Sequence, residues 1–179
     1  MASTINATTS SGIVATADNT GSLALQSAGT TIMTITSTGV TTQVGAPAFS
    51  AYTTTNQSFT ATTYTKVTFD LEEYDTNSNF ASSRFTPTVA GYYQLSVALS
   101  NNASDIRMIA AIYKNGASYK ILQDATSSPN NAGGSVLVYA NGTTDYYETY
   151  VWMSVSSGTP QLYGTQATTW FTGAMVRSA

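Results

Sequence analysis

The stretch from Lys66 to Ser100, KVTFDLEEYDTNSNFASSRFTPTVAGYYQLSVALS, restricts what this chain can fold into more than any other. Val67 and Phe69 alternate with Lys66, Thr68 and Asp70, and residues 92–99, YYQLSVAL, repeat the same rhythm. A period of two between bulky and polar side chains marks strands with one buried face. Between the two runs, a polar turn around Asp75 and Asn79 leads to Phe85, and Thr88-Val89-Ala90-Gly91 makes a second turn.

Beyond this stretch the pattern continues. Strands are expected at 48–54, 66–70, 84–88, 92–100, 107–114, 135–139, 145–155 and 169–177, separated by clusters of Gly, Asn, Asp and Ser. No segment keeps a helical period. Short strands with such turns predict an all-β sandwich.

Several motifs carry a resemblance. Pro47-Ala48-Phe49-Ser50-Ala51 comes first, then Val67-Thr68-Phe69-Asp70 with Tyr74-Asp75 and Asn79-Phe80. Arg84-Phe85-Thr86-Pro87 with Val89-Ala90-Gly91-Tyr92-Tyr93 follows, then Ile112-Tyr113-Lys114-Asn115-Gly116, and last Thr169-Trp170-Phe171-Thr172-Gly173-Ala174-Met175-Val176. In content and order this series resembles the C1q-like globular head shared with the tumour-necrosis-factor superfamily. The resemblance covers 47–176. It implies a jelly-roll sandwich that assembles as a homotrimer, so the chain's main partner is itself.

Twelve tyrosines and six phenylalanines give that trimer a physical motive, because they exceed what one sandwich core needs. Tyrosine suits contacts that are dry at one end and hydrogen-bonded at the other. Phe49, Phe69, Phe85, Tyr92, Tyr93, Tyr113, Tyr146 and Phe171 are the expected core and trimer-interface residues. Tyr92/Tyr93 and Tyr146/Tyr147 are adjacent pairs, so whichever member is core, the other faces outward.

Residues 1–45 differ in kind from the rest. They are rich in Ser, Thr, Ala and Gly, with Asp18 as the one charge and no aromatic residue. Such a segment cannot by itself offset its ordering entropy. Leu23, Leu25, Ile32, Ile35 and Val40 nevertheless recur between the turn signals Thr20-Gly21, Ala28-Gly29 and Thr38-Gly39, which predicts very short strands. The run 21–27 with 29–35 and 39–40 resembles the β-rich stem repeats of bacteriophage fibre and virion surface proteins. The expected organisation is therefore an anchoring arm over 1–45, with those five apolar residues as its contacts, and a jelly-roll head over 46–179, joined at Gly45-Ala46-Pro47.

Composition narrows the chemistry. Charged residues make up 8% of the 179 residues, against roughly 25% in ordinary soluble domains. The six Lys and Arg are scattered and the net charge is −3, so the footprint of a nucleic-acid binder is missing. Without any Cys or His, disulfides, thiol nucleophiles and histidine acid–base catalysis are excluded. Met1-Ala2-Ser3-Thr4-Ile5-Asn6 has neither the basic nor the apolar segment of a signal peptide, and no run approaches a membrane span.

Two clusters remain to be weighed. Asp70, Glu72, Glu73 and Asp75 are the one carboxylate group, placed on an exposed turn where solvation, not glycoside hydrolysis, is the expectation. Asp75, Asn77 and Asn79 have the spacing of calcium donors, although no acidic residue follows where an EF-hand loop needs one. The polar loops expected at 101–105, 122–134 and 156–166, the last with Tyr163, suit weak sugar binding.

Taken together, these features predict a non-enzymatic homotrimeric protein of a virion surface. Its arm would meet capsid or tail proteins and its head would meet a cell-surface glycan. A capsid decoration protein or short head fibre of a tailed phage fits the short stem, and a tail-fibre tip or a soluble C1q-like glycan-binding lectin is the alternative.

Overall fold

A computed structural model describes residues 21–43, 45–101, 105–126 and 131–179, and residues 1–20 of the arm lie outside it. The chain divides into two compact units between Gly45 and Ala46. In the first, β1 (Leu23–Ser27), β2 (Thr30–Ile35) and β3 (Thr41–Gln43) form an antiparallel meander, numbered like all strands here in chain order. Ala28 and Gly29 both have positive φ, the two-residue turn whose twist suits a tight hairpin. Leu23 pairs with Ile35 and Leu25 with Met33, so their side chains share a face. Leu23, Leu25, Ile32 and Val40 remain exposed and Ile35 is half-buried.

The second unit is built of two sheets. The first has the order β13 (Asn131–Ala140), β10 (Gly91–Ser100), β16 (Trp170–Ser178), β4 (Ala48–Tyr52), β7 (Leu71–Asp75). The second has the order β12 (Ala117–Thr126), β11 (Asp105–Lys114), β14 (Tyr147–Val155), β9 (Arg84–Phe85), β8 (Phe80–Ala81), with β6 (Thr65–Lys66) also on β14. A small pair, β5 (Gln57–Ser58) with β15 (Gln161–Leu162), stands apart from both. All the pairings are antiparallel, and no helix occurs among the described residues. Nor, among them, is any helix long and apolar enough to cross a membrane.

Strand alternation produces the core between the sheets. On β10, Tyr93, Leu95, Val97 and Leu99 are buried while Tyr92, Gln94, Ser96 and Ala98 face out. All six phenylalanines of the sequence are buried. Phe49 is the hub, stacked on Phe80 at 4.8 Å and on Phe85 at 4.4 Å, with Phe171 edge-on at 4.9 Å. Gly173 makes room for it, since a Cβ there would lie 2.6 Å from both Phe49 Cε1 and Leu95 Cδ2. The buried phenols of Tyr93 and Tyr147 donate to Val89 O and Tyr139 O at 2.7 and 2.5 Å, and burial pushes both up to about 12.

Three expectations need correction. The alternating run 66–70 is not a strand beyond Lys66. Val67 and Phe69 are buried, but their amides bond to Thr149 O and to Ser83 Oγ, and Asp70 N bonds to Tyr52 O. The chain is extended there because it crosses from the second sheet to the first, and a crossing segment between two sheets buries alternate side chains as a strand does. The carboxylate group is not on a turn: Leu71–Asp75 is an edge strand on β4. The region 122–134 is not simply a loop, because β12 runs to Thr126 and β13 starts at Asn131, with 127–130 outside the described residues.

Candidate functional site

Asp75, Asn77 and Asn79 meet in one turn, where their side chains bind the polypeptide itself. Asp75 Oδ2 accepts from Phe80 N at 2.7 Å and Oδ1 from Asn77 N at 3.4 Å. Asn77 Oδ1 accepts from Thr76 Oγ1 at 2.9 Å. Asn79 is buried, donating to Asn77 O at 3.0 Å while its Oδ1 accepts from Thr88 N at 3.3 Å. A calcium ion would have to replace these bonds. Among the described residues, no three acidic, His or Cys side chains are arranged to hold a metal.

Most of the cations share one sheet, while carboxylates lie on both. Lys66, Arg84, Arg107, Lys114 and Lys120, five of the six cations, lie on strands of the second sheet, whereas Glu72, Glu73 and Asp75 lie on β7 of the first. Asp70, just before β7, accepts from Thr54 N at 2.8 Å and Thr54 Oγ1 at 2.7 Å. The Thr54 hydroxyl is the main reason its carboxyl sits below the usual range.

Two carboxylates, Glu148 on β14 and Asp145 just before it, are buried against cations that stay partly exposed. Glu148, its side chain 4% exposed, accepts from Lys66 Nζ at 2.7 Å and Arg84 Nε at 2.9 Å. Asp145 accepts from Lys114 Nζ at 2.9 Å, Asn115 Nδ2 at 2.9 Å and Asn141 N at 3.0 Å. Burial pushes both carboxyls up, but these bonds outweigh it and hold both below their ordinary values. A carboxyl depressed in the native state stabilises it fully above the ordinary value of about 4, and that contribution is lost as pH falls through the native value. Thermal midpoints of the head are therefore expected to drop on acidification below about pH 4. Glu148→Gln and Asp145→Asn should flatten that profile, and an unchanged profile in both variants would contradict the assignment.

The expected interface residues separate into three places. Phe49, Phe69, Phe85, Tyr93 and Phe171 are core. Tyr113 and Tyr146 are half-buried on the outside of the second sheet, with Tyr113 stacked on Tyr150 at 3.8 Å and Arg84 lying 3.8 Å over Tyr146. Tyr92 alone lies on the outside of the first sheet, 42% exposed and 5.5 Å from Tyr139 across β10 and β13.

Sequence reasoning passed over the residues beside it. Tyr139 is 42% exposed and Leu137, opposite Gln94, is 52% exposed, while Val138 and Ala140 between and after them are core. The run Val136-Leu137-Val138-Tyr139-Ala140 was the available signal. A strand apolar in both phases is one whose two faces are both covered. In a single copy, nothing among the described residues buries the Leu137/Tyr139 face.

Loop 156–166 contains β15, and Gln166 at its end reaches Glu73 of β7 by a hydrogen bond from Nε2 to Oε1. Tyr163 is exposed. Residues 102–104 of the first polar loop lie outside the described residues.

No family model matches the sequence, and no curated protein does. Solved structures do match the folded chain. Murine APRIL (pH 8.5 crystal structure) aligns with TM-score 0.56 at 10% identity, covering 73% of this chain and 99% of APRIL. The globular domain of zebrafish complement 1qA aligns with TM-score 0.53 at 16% identity, covering 74% and 99%. The head has the C1q/TNF-like jelly-roll fold. The PRD1 vertex protein P5 also aligns with this chain, with TM-score 0.53 at 16% identity over 74% of this chain and 96% of that one. In this jelly roll the first sheet is β13-β10-β16-β4-β7, and the unburied Leu137/Tyr139 face belongs to it.

Proposed function

We propose that this protein is a non-enzymatic, homotrimeric structural component of a virion surface, a capsid decoration protein or short head fibre of a tailed phage. The observation that carries self-association is strand β13, whose Leu137 and Tyr139 are exposed in one copy together with Tyr92 of β10. Copies related by rotation cover each other's patch and close a ring. Three is the number that the C1q-like resemblance implies.

The arm supports the placement on a particle. Leu23, Leu25, Ile32 and Val40 are exposed on a meander of short strands, and such apolar surface calls for a partner. Capsid or tail proteins are the partners proposed for it. Likeness in fold to a protein named as a vertex protein supports the same reading. Trimerisation brings three arms together, so arm and head gain stability in one event. Three heads then present their outer surfaces at once, and individually weak contacts with a cell-surface glycan add through avidity.

Immunogold labelling of intact particles with an antibody against 46–179 tests this. Gold spread over the capsid is the expected result. Gold confined to the tail tip would move the protein to a tail fibre, and particles free of gold would overturn the virion reading in favour of a soluble glycan-binding lectin.

A further inference from the structure

We propose that the outer face of the second sheet binds an acidic pyranose unit of a glycan, a uronate or a sialate. The inference rests on the adhesive part of the function above and gives it a site. This face lies across the sandwich from the Leu137/Tyr139 patch, so it is turned outward when three such patches meet about one axis.

Cross-strand pairing builds the site. Tyr113 of β11 lies opposite Glu148 of β14, and Tyr150, two residues on, emerges on the same side of the sheet. The rings of Tyr113 and Tyr150 stack at 3.8 Å, and Tyr64 extends the row, its centroid 6.0 Å from that of Tyr113. Tyr146, just before β14, lies under the Arg84 guanidinium. These four phenols differ from the phenols of the core. Tyr93 and Tyr147 each donate to a backbone carbonyl, whereas the hydroxyls of Tyr64, Tyr113, Tyr146 and Tyr150 make no hydrogen bond to a described residue. A phenol hydroxyl both donates and accepts, so a row of them matches the hydroxyls of a sugar. Tyrosine rings lose little freedom on binding, and their apolar surface suits the C–H faces of a pyranose.

Charge beside the row selects the ligand. Lys66 Nζ and Arg84 Nε both bond Glu148 Oε1, so two cations surround one carboxylate and leave an excess of positive charge. Among the described residues Arg84 bonds Glu148 through Nε alone, and its side chain is 43% exposed. Its two terminal nitrogens are left to take a ligand carboxylate in the bidentate manner that a guanidinium favours. The ring of Tyr146, 3.8 Å below, holds the guanidinium plane ready for that contact. Arg107 differs, since its Nε and Nη2 are both committed to Asp124. The carboxylates of β7 lie on the other sheet and do not oppose an anion here.

The test is saturation-transfer difference NMR on the full-length protein at about pH 7 with methyl β-D-glucuronide, its neutral counterpart methyl β-D-glucoside, and N-acetylneuraminic acid. Transfer to the ring protons of at least one acid is expected, with the glucoside bound about tenfold more weakly or not at all. Arg84→Gln should weaken binding of the acid about tenfold or more, and Tyr150→Phe, which keeps the stacked ring and loses the hydroxyl, about threefold. Arg107→Gln removes the same charge from the same sheet and should leave binding within about twofold. Tyr64→Ala, at an exposed position, should also weaken binding and serves if Arg84→Gln fails to fold. Particle mass in solution should stay unchanged in all of them. No transfer to either acid, equal binding of the glucoside, or equal losses in Arg84→Gln and Arg107→Gln would overturn the proposal. So would loss of the oligomer in the variants, since the face would then be a contact between copies. Gold on particles without any binding of the acids would retire the site and leave the virion role standing. Binding of an acid by a protein absent from particles would keep the site and remove the virion role.

Discussion

Replacing Phe49 with alanine is expected to lower the stability of the head by about 3–5 kcal/mol, the range for deleting a fully buried ring from a core that cannot collapse around it. Phe49 is completely buried and touches rings on three sides, Phe80, Phe85 and Phe171. Those partners come from β8, β9 and β16, so one side chain ties both sheets together. The loss is a large part of the roughly 5–15 kcal/mol that holds a typical domain. Both tryptophans, Trp152 and Trp170, lie in the head, so urea unfolding followed by their fluorescence reads this unit. Tyr92→Ala, at a position outside the core, should change the folded monomer by less than about 1 kcal/mol. Equal midpoints for Phe49→Ala and wild type would show that the aromatic hub does not organise the core.

The second large effect is on assembly. Leu137→Asp with Tyr139→Asp is expected to convert the proposed trimer to a folded monomer. Both side chains point away from the core and are about half exposed in a single copy, so the substitutions remove little from the fold itself. Inside an interface, each added carboxylate would be buried without a partner, which costs several kcal/mol. With every ~1.4 kcal/mol worth a factor of ten, association should weaken at least about 100-fold. Unchanged mass in the double variant, with native circular dichroism, would place the self-contact elsewhere.

Much of the fold was legible because its strands obey one rule. On β10 the alternation of Tyr93, Leu95, Val97 and Leu99 with polar or small neighbours is clean, and the strand forms where that pattern lies. Ala28-Gly29 and Thr38-Gly39 mark turns of the arm in the sequence, and in the structure β2 begins after the first and β3 after the second. The failures are physical rather than accidental. Val67 and Phe69 show a strand's burial, but hydrogen bonding, which no hydrophobic pattern reports, goes to two different sheets and to side chains. β12, ASYKILQDAT, is mostly exposed on an edge, so it carries no apolar rhythm to read.

The candidate sites were harder to see for related reasons. Tyr139 and Leu137 were hidden within a strand whose other phase is core, because an apolar residue facing solvent looks in sequence like an apolar residue facing inward. Arg84, Tyr113, Tyr146 and Tyr150 read as residues of separate strands. Their place on one face depends on the pairing of strands far apart in sequence. The cations read as scattered, yet antiparallel pairing gathers five of them on one sheet.

Multi-angle light scattering of the purified full-length protein at micromolar concentration tests the central claim most directly, because arm, avidity and display all depend on the oligomer. The account predicts one species with about three times the chain mass of 18.8 kDa. A single species at 18.8 kDa would contradict it, leaving Leu137, Tyr139 and Tyr92 exposed without a role in self-association.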